Sequence, residues 1–347
     1  MMGKSAPRPL GGGLGGRVVR GKKQLVHTYN DIISLENLAS AWQEFVIGKK
    51  SKSDVQDFSL HLMDNIIALH EDLTNHSYCH GGYESFYIND PKRRHIHKAN
   101  VRDRLLHHAL FRILYPFFEK TFIADSFSCR IDKGTHKAID RFRTMVRKVS
   151  KNQTAACWVL KGDIKKFFAS VDHKILLNIL TEYIPDKDII QLLENIIVSF
   201  PVGLPLGNLT SQLFANVYMN VFDGWTKHQL KARYYIRYAD DFVFLSQDKL
   251  WLENLIPQIQ RFLTEQLKLT LHPNKVFLKT ISSGVDFLGW VNFFGHRILR
   301  RTTRRRMLSQ IKNNSAPETL QSYLGLLKHG NTYKTKQELL GEYWLWQ

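Results

Sequence analysis

Two adjacent aspartates, Asp240 and Asp241, stand between the apolar runs Tyr234-Tyr235-Ile236-Arg237-Tyr238 and Phe242-Val243-Phe244-Leu245. Short β-branched and aromatic runs around a tight turn read as a β-hairpin, so the fold must carry two like charges at the tip of a pair of apolar strands around Ala239-Asp240-Asp241. That placement costs stability, because neighbouring carboxylates repel and raise each other's pKa. A divalent cation relieves the repulsion; a solvated acidic turn is the other reading. A second element bears on the choice, since Cys157-Trp158-Val159-Leu160 reads as a short buried strand that ends at Asp163. A carboxylate leaving that strand beside the hairpin tip would complete an oxygen-rich cage for two Mg²⁺ ions, which bind through a few carboxylates plus substrate phosphates. Such a site lowers the pKa of an attacking hydroxyl and neutralises a leaving pyrophosphate, which is nucleotidyl-transfer chemistry.

The rest of the chain predicts an α+β fold. Ile32, Ile33, Leu35, Leu38, Trp42 and Phe45 recur at helical spacing, as do Phe58, Leu60, Leu62, Ile66, Ile67 and Leu69, which predicts two helices. Tyr83 to Asn89 alternates like a strand, Pro91-Lys92-Arg93-Arg94 reads as a turn, and Val101 to Phe118 returns to helical spacing. Two amphipathic helices meeting near Pro185 are expected between Ile175 and Phe200, then a loop over Gly203-Leu204-Pro205-Leu206-Gly207 and a long helix striped by Leu209, Leu213, Val217 and Val221. A helix over Trp251–Leu267, strands over Val276–Leu278 and Val285–Phe294, and helical sequence from about residue 300 complete the pattern. Asp172 reads as a helix N-cap rather than a ligand.

Charge narrows the partner. Lysine and arginine number 49 against 31 acidic residues, a formal net charge of +18, which points to a polyanion. Residues 1–30 hold six basic and no acidic side chains around Gly11-Gly12-Gly13-Leu14-Gly15-Gly16, the composition of a flexible basic arm. These glycines match a dinucleotide fingerprint only as a string, without its strand and helix. Residues 297–347 hold ten basic against three acidic side chains, with Arg297, Arg300, Arg301, Arg304, Arg305 and Arg306 within ten residues. A segment of that kind tracks a phosphate backbone and makes binding salt-dependent; a solubilising helix face is the bland alternative. Cys79, Cys129 and Cys157 carry no Cys-x-x-Cys spacing, so neither a disulfide framework nor a zinc ribbon is written here. His95, His97, His107 and His108 lack a partner acid or cysteine at zinc spacing and read as structural or nucleic-acid-facing. Without a long apolar run or a signal peptide, the expected location is the cytoplasm, with no membrane.

Four segments in order, Lys161-Gly162-Asp163-Ile164-Lys165-Lys166-Phe167-Phe168, then Gly203-Leu204-Pro205-Leu206-Gly207-Asn208-Leu209-Thr210-Ser211-Gln212, then Tyr238-Ala239-Asp240-Asp241, then Phe287-Leu288-Gly289-Trp290, resemble the palm motifs of reverse transcriptases. Asp90-Pro91-Lys92-Arg93-Arg94, Val101-Arg102-Asp103-Arg104 and the segment from Ser126 to His136 resemble fingers motifs of the retron, group II intron and retroelement branch. The resemblance covers about residues 30–310. It implies a right-hand polymerase fold: a basic N-terminal arm (1–30), helical fingers with part of the palm (31–155), an antiparallel-sheet palm bearing the carboxylates (156–296) and a short basic helical thumb (297–347).

Roles carried over from the resemblance make Asp163, Asp240 and Asp241 the metal ligands, with the Ile164 carbonyl a further oxygen and Lys275 the proton donor to pyrophosphate. Lys92 and Arg94 would hold the triphosphate. Phe168 would exclude a ribose 2′-hydroxyl, with Leu206, Gly207, Gln212 and Tyr238 around the nucleotide. Phe287, Leu288, Gly289 and Trp290 would form the primer grip, and Arg300, Arg301, Arg304 and Arg305 would follow the primer–template. Leu206 and Gln212 depart from the glutamine and proline of most reverse transcriptases and most resemble enzymes of diversity-generating retroelements; a leucine offers the incoming base only apolar contact. That subgroup implies copying of a retroelement RNA into cDNA in mutagenic retrohoming, with deoxynucleoside triphosphates as substrates and a structured retroelement RNA and a basic accessory protein as partners. The short basic end leaves no expected RNase H, maturase or endonuclease domain. A defence-associated or orphan bacterial reverse transcriptase is the alternative, and a non-catalytic nucleic-acid-binding protein the second class.

Overall fold

The computed structural model describes residues 23–89 and 93–345. Four short helices, α1 (Tyr29–Ile33), α2 (Leu35–Phe45), α3 (Ser53–Leu60) and α4 (Leu62–Thr74), precede a hairpin of β1 (Tyr83–Ile88) and β2 (Arg94–Ala99) and the long helix α5 (Val101–Glu119). The middle runs α6 (Thr135–Val149), β3 (Trp158–Asp163), α7 (Phe167–Ser170), α8 (His173–Thr181), α9 (Lys187–Val198), α10 (Leu209–His228), β4 (Tyr235–Tyr238), β5 (Asp241–Ser246), α11 (Lys249–Leu267) and β6 (Phe277–Thr280). A small sheet of β7 (Val285–Phe287), β8 (Trp290–Asn292) and β9 (Arg297–Leu299) leads into α12 (Arg301–Asn313), α13 (Pro317–Leu327) and α14 (Tyr333–Leu345). The helix starts are written in the sequence: Asn100, Asp172, Asp186 and Asp248 each accept a backbone N–H of the turn that follows, satisfying donors that a helix leaves unpaired. Asp172 is thus the expected N-cap.

The central sheet has the order β4-β5-β3-β6, antiparallel throughout. Side chains alternate between its faces. Leu160, Phe242 and Phe244 enter the large core with α5, α8, α10 and α11, whereas Val159, Ile236, Val243 and Leu245 pack on Ala138, Phe142, Met145 and Val146 of α6. Lys161, Asp163 and Asp241 continue this second face towards the β4–β5 turn. A third cluster joins Trp290 and Leu299 to Met307, Ile311, Leu327 and Leu339 of the C-terminal helices.

Several boundaries differ from expectation. Residues 31–74 form four helices rather than two, because the Ser34 hydroxyl accepts from Asn37 N–H and starts α2 where α1 ends. The run Val285–Phe294 is a hairpin, turned at Leu288 (φ 52°) and Gly289 (φ 87°) with Phe287 opposite Trp290. The aspartate hairpin turns on Ala239 and Asp240 alone; Asp241 is already the first residue of β5, opposite Tyr238. Arg94 opens β2 instead of closing a turn. Among the described residues no helix is long and apolar enough to cross a membrane.

Candidate active site

Strand register brings the three aspartates together. Asp163, at the end of β3, is directly opposite Asp241 of β5, and Asp240 occupies the turn just before it. Ala239, the first turn residue, has φ 53°, a left-handed conformation costing a non-glycine residue roughly 1–2 kcal/mol. A buried network holds it there. Arg237, fully enclosed, donates from Nη1 to the Ala239 carbonyl at 3.0 Å, from Nη2 to Ser126 Oγ at 3.1 Å, and from Nε and Nη2 to Asp223 at 2.8 and 2.6 Å. Tyr235 donates its hydroxyl to the same Asp223 at 2.7 Å. Arg237 and Asp223 escaped the sequence reading, although a lone arginine in an apolar strand and an aspartate on the buried side of a helix are the signals of a buried ion pair.

Two ammoniums face the aspartates. Lys275 Nζ donates to Asp163 Oδ1 at 2.7 Å, and Lys161 Nζ lies 3.1 Å from Asp241 Oδ1. The segment bearing Lys275 is stitched to the end of β3 by an Ile164–Leu271 bridge and by His272 N–H to the Asp163 carbonyl at 2.8 Å. Burial, reinforced by Asp163 and Asp241, pushes the Asp240 carboxyl up to about 6. Asp241 is also raised by burial, against the pull of Lys161. Asp241 Oδ1 is buried and accepts no hydrogen bond, having only the ion pair with Lys161. Asp240 and Asp241, both raised by burial, with Asp163 directly opposite Asp241, make a carboxylate cluster that suits a hard divalent cation. Among the described residues no three carboxylate, imidazole or thiolate groups stand as a finished metal ligand set; the positive charges in place are Lys161 and Lys275.

Of the expected nucleotide-side residues, Leu206 and Gly207 lie in one loop and Phe168 is bound to it. Phe167 is buried in the core, while Phe168 is half-buried with its ring edge-on to Phe167 at 5.5 Å. Leu204 N–H donates to the Phe168 carbonyl at 2.7 Å, and Gly203 (φ 69°) sits so close that a Cβ would lie 2.2 Å from that carbonyl oxygen. The loop is tied to β2: His97 N–H donates to the Leu206 carbonyl at 2.8 Å, Asn208 donates to the His97 carbonyl at 3.1 Å, and Ala99 N–H reaches Asn208 Oδ1 at 3.4 Å. Gly207 (φ 119°) presses on Ile96. Leu206 and Gln212 are half-buried, and Tyr238 accepts from Thr135 Oγ1 at 3.1 Å. Arg94 is exposed on β2; Lys92 and most of the N-terminal arm lie outside the described residues. Lys161, within the first motif segment, Asn208, within the second, and His97, expected only to be structural or nucleic-acid-facing, gain specific contacts here, with Asp241 and across the loop–β2 tie.

Phe287 and Trp290 are buried, so the Leu288-Gly289 turn is the accessible part of that segment. The arginine cluster divides. Arg300 pairs with Asp286, Arg304 donates from Nε to Glu338 at 2.9 Å, and Arg297 reaches Asp140 at 3.0 Å. Arg301 and Arg305, one helical turn apart on α12, are exposed.

The sequence profile described as "Reverse transcriptase (RNA-dependent DNA polymerase)" matches residues 89–291, more than half of the chain and all three aspartates. The chain belongs to this family. Protein YkfC of Escherichia coli K12 is 26% identical over 273 residues, covering 65% of this chain and 69% of YkfC. The group II intron-encoded protein LtrA of Lactococcus lactis is 21% identical over 278 residues, 58% of this chain and 45% of LtrA. Nuclear intron maturase 1 of Arabidopsis thaliana is 30% identical over 94 residues, 27% of this chain and 12% of the maturase. Two of these relatives are intron-encoded or intron maturase proteins by name. The helical and antiparallel-sheet architecture of the chain is the right-hand polymerase fold of an RNA-directed DNA polymerase.

Proposed function

We propose that this reverse transcriptase copies an RNA template into cDNA at the site built by Asp163, Asp240 and Asp241. The observation that carries the reading is the Asp163–Asp241 register, with Asp240 on the intervening turn. Two Mg²⁺ ions held by these carboxylates and the Ile164 carbonyl would supply hydroxyl activation and charge neutralisation in phosphoryl transfer. The chain's own groups do the rest. Lys275, already within hydrogen-bond reach of Asp163, protonates pyrophosphate; Lys92 and Arg94 hold the triphosphate; Phe168 closes the space a 2′-hydroxyl would need. Gly207, Gln212 and Tyr238 line the nucleotide, the Leu288-Gly289 turn with its buried anchors Phe287 and Trp290 supports the primer, and Arg301 and Arg305 meet the nucleic-acid backbone with Arg300 and Arg304 anchoring their helix. Fingers (31–155), palm (156–296) and thumb (297–347) describe the division of labour.

Leu206 supports the diversity-generating subgroup, in which a structured retroelement RNA and a basic accessory protein serve as partners in mutagenic retrohoming. Extension of a primed RNA template with deoxynucleotides and Mg²⁺ is expected from the intact protein and not from Asp240→Ala; extension by that variant would refute the assignment. For the subgroup, Leu206→Gln should raise copying fidelity on heteropolymeric RNA, and equal fidelity would refute it.

A further inference from the structure

Lys161 has no part in the chemistry just proposed, yet the fold gives it a buried position beside the carboxylates. It shares a face of β3 with Asp163, two residues on, and stands opposite Val243 of β5 and Phe277 of β6. Asp241 precedes Val243 by two residues, so Lys161 and Asp241 are diagonal neighbours on one face of the sheet, a separation that a long side chain spans. Strand register therefore sets the pair, in which Lys161 Nζ lies 3.1 Å from Asp241 Oδ1. The other groups on this face are apolar. The ammonium lies over the Phe287 ring, 6.0 Å from its centroid, and Val159, Ile236 and Val243 belong to the same cluster as Phe287.

The two lysines at the site differ in what they are free to do. The side chain of Lys275 is 41% exposed, so it can leave Asp163 for a substrate phosphate. That of Lys161 is 9% exposed, and among the described residues its one ion pair is with Asp241. An ammonium enclosed by apolar groups stays with its single acceptor, because parting them leaves a buried charge unpaired. The contact is therefore built to persist when a cation enters the site.

We infer that Lys161 is a positioning residue: it holds Asp241 Oδ1, fixes the orientation of the carboxylate, and leaves Oδ2 as the oxygen offered to a divalent cation. The inference rests on the two-metal reading and deepens it. It limits Asp241 to one ligating oxygen and offsets part of the negative charge of the cluster, so the intact site binds its cations less tightly, and in a more fixed geometry, than three bare carboxylates do.

The test compares Lys161→Met, which keeps a side chain of similar length without the charge, with Lys161→Arg. Mn²⁺ is titrated into each protein in complex with a dideoxy-terminated primer–template and an incoming deoxynucleotide, and bound metal is read by electron paramagnetic resonance. Lys161→Met should bind Mn²⁺ about tenfold more tightly, the order of effect that a charge this close has on a proton held by a carboxylate. Single-turnover extension at saturating Mg²⁺ should nevertheless slow at least about tenfold, because the carboxylate has lost its orientation. Lys161→Arg should keep the affinity of the intact protein. Melts followed by tryptophan fluorescence give a readout independent of activity: Lys161→Met should melt below the intact protein in chelator and recover most of the difference in Mn²⁺, which binds the folded site.

A lysine that only supports the fold would lower the melting temperature equally in both conditions and leave Mn²⁺ affinity unchanged; that result overturns the inference, as does Mn²⁺ binding by Lys161→Arg as tight as by Lys161→Met. The two readings fail differently. An intact protein that neither extends primers nor binds Mn²⁺ beyond what the nucleotide holds removes the two-metal reading and this inference together. An active, metal-binding protein whose affinity is indifferent to the charge at position 161 removes this inference alone.

Discussion

Removing one partner of the Arg237–Asp223 pair should separate stability from catalysis. Both side chains have no solvent exposure, so Asp223→Ala leaves a buried guanidinium without its counter-charge, at a cost of about 3–5 kcal/mol. That is a large share of the roughly 5–15 kcal/mol holding a typical domain folded, and urea unfolding should show it directly. Replacing the whole network with apolar groups has a different outcome. In Arg237→Met, Asp223→Leu, Tyr235→Phe, combined with Ser126→Ala, no buried charge or hydroxyl is orphaned and only the Ala239 carbonyl loses its donor, and such replacements are commonly neutral or stabilising. This combined variant should unfold near the intact protein.

Its activity should not recover. The hydrogen bond from Arg237 Nη1 to the Ala239 carbonyl is gone, and with it the restraint on a turn residue at φ 53° immediately before Asp240. A displacement of about 1 Å at a reacting group can cost on the order of 10²-fold in rate, so single-turnover primer extension should slow by about that factor. Full-rate extension by the combined variant, or an Asp223→Ala variant within about 1 kcal/mol of the intact protein, would refute the reasoning.

Asp240→Asn should be inactive yet more stable. With a folded-state pKa near 6 above an unfolded value of about 4, the native carboxyl holds its proton more tightly; the intact protein therefore loses stability as pH rises from about 4 to 6. The variant should gain on the order of 1–3 kcal/mol above pH 6, shrinking to nothing below about pH 4, and thermal melts showing a pH-independent difference would contradict this. Gly203→Ala places a Cβ 2.2 Å from the Phe168 carbonyl and 2.6 Å from Ala169 Cα; it should lower the melting temperature and loosen Phe168, seen as more ribonucleotide incorporation, and an unchanged protein would show that the loop is not tightly docked. Asn208→Ala removes two ties to β2 at about 1–2 kcal/mol and should raise the KM for nucleotide; an unchanged KM would uncouple the loop from the fingers hairpin.

The carboxylate site was legible because its signals are local: apolar runs fix β3, β4 and β5, and an antiparallel register carries Asp163 to Asp241. The supports were not. Arg237 reaches Asp223 and Ser126 from distant parts of the chain, and no spacing rule links them. Lys161 sits inside a strand where a charge reads as surface, yet its side chain is only 9% exposed and paired with Asp241. Helix α6 went unread although Ala138, Phe142, Met145 and Val149 follow helical spacing, because its basic residues lower the mean hydropathy. Of the six clustered arginines, charge density could not tell Arg301 and Arg305 from the ion-paired Arg297, Arg300 and Arg304, a distinction set by Asp140, Asp286 and Glu338 elsewhere in the fold.

The central claim is that Asp163 and Asp241, brought opposite each other by β3 and β5, hold divalent cations together with Asp240. Electron paramagnetic resonance of Mn²⁺ in a complex of the protein with a dideoxy-terminated primer–template and an incoming deoxynucleotide reports this directly. The account predicts a protein-bound Mn²⁺ signal from the intact chain that Asp163→Asn and Asp241→Asn each abolish. The same signal in all three proteins would mean that nucleotide phosphates alone hold the metal, and would contradict it.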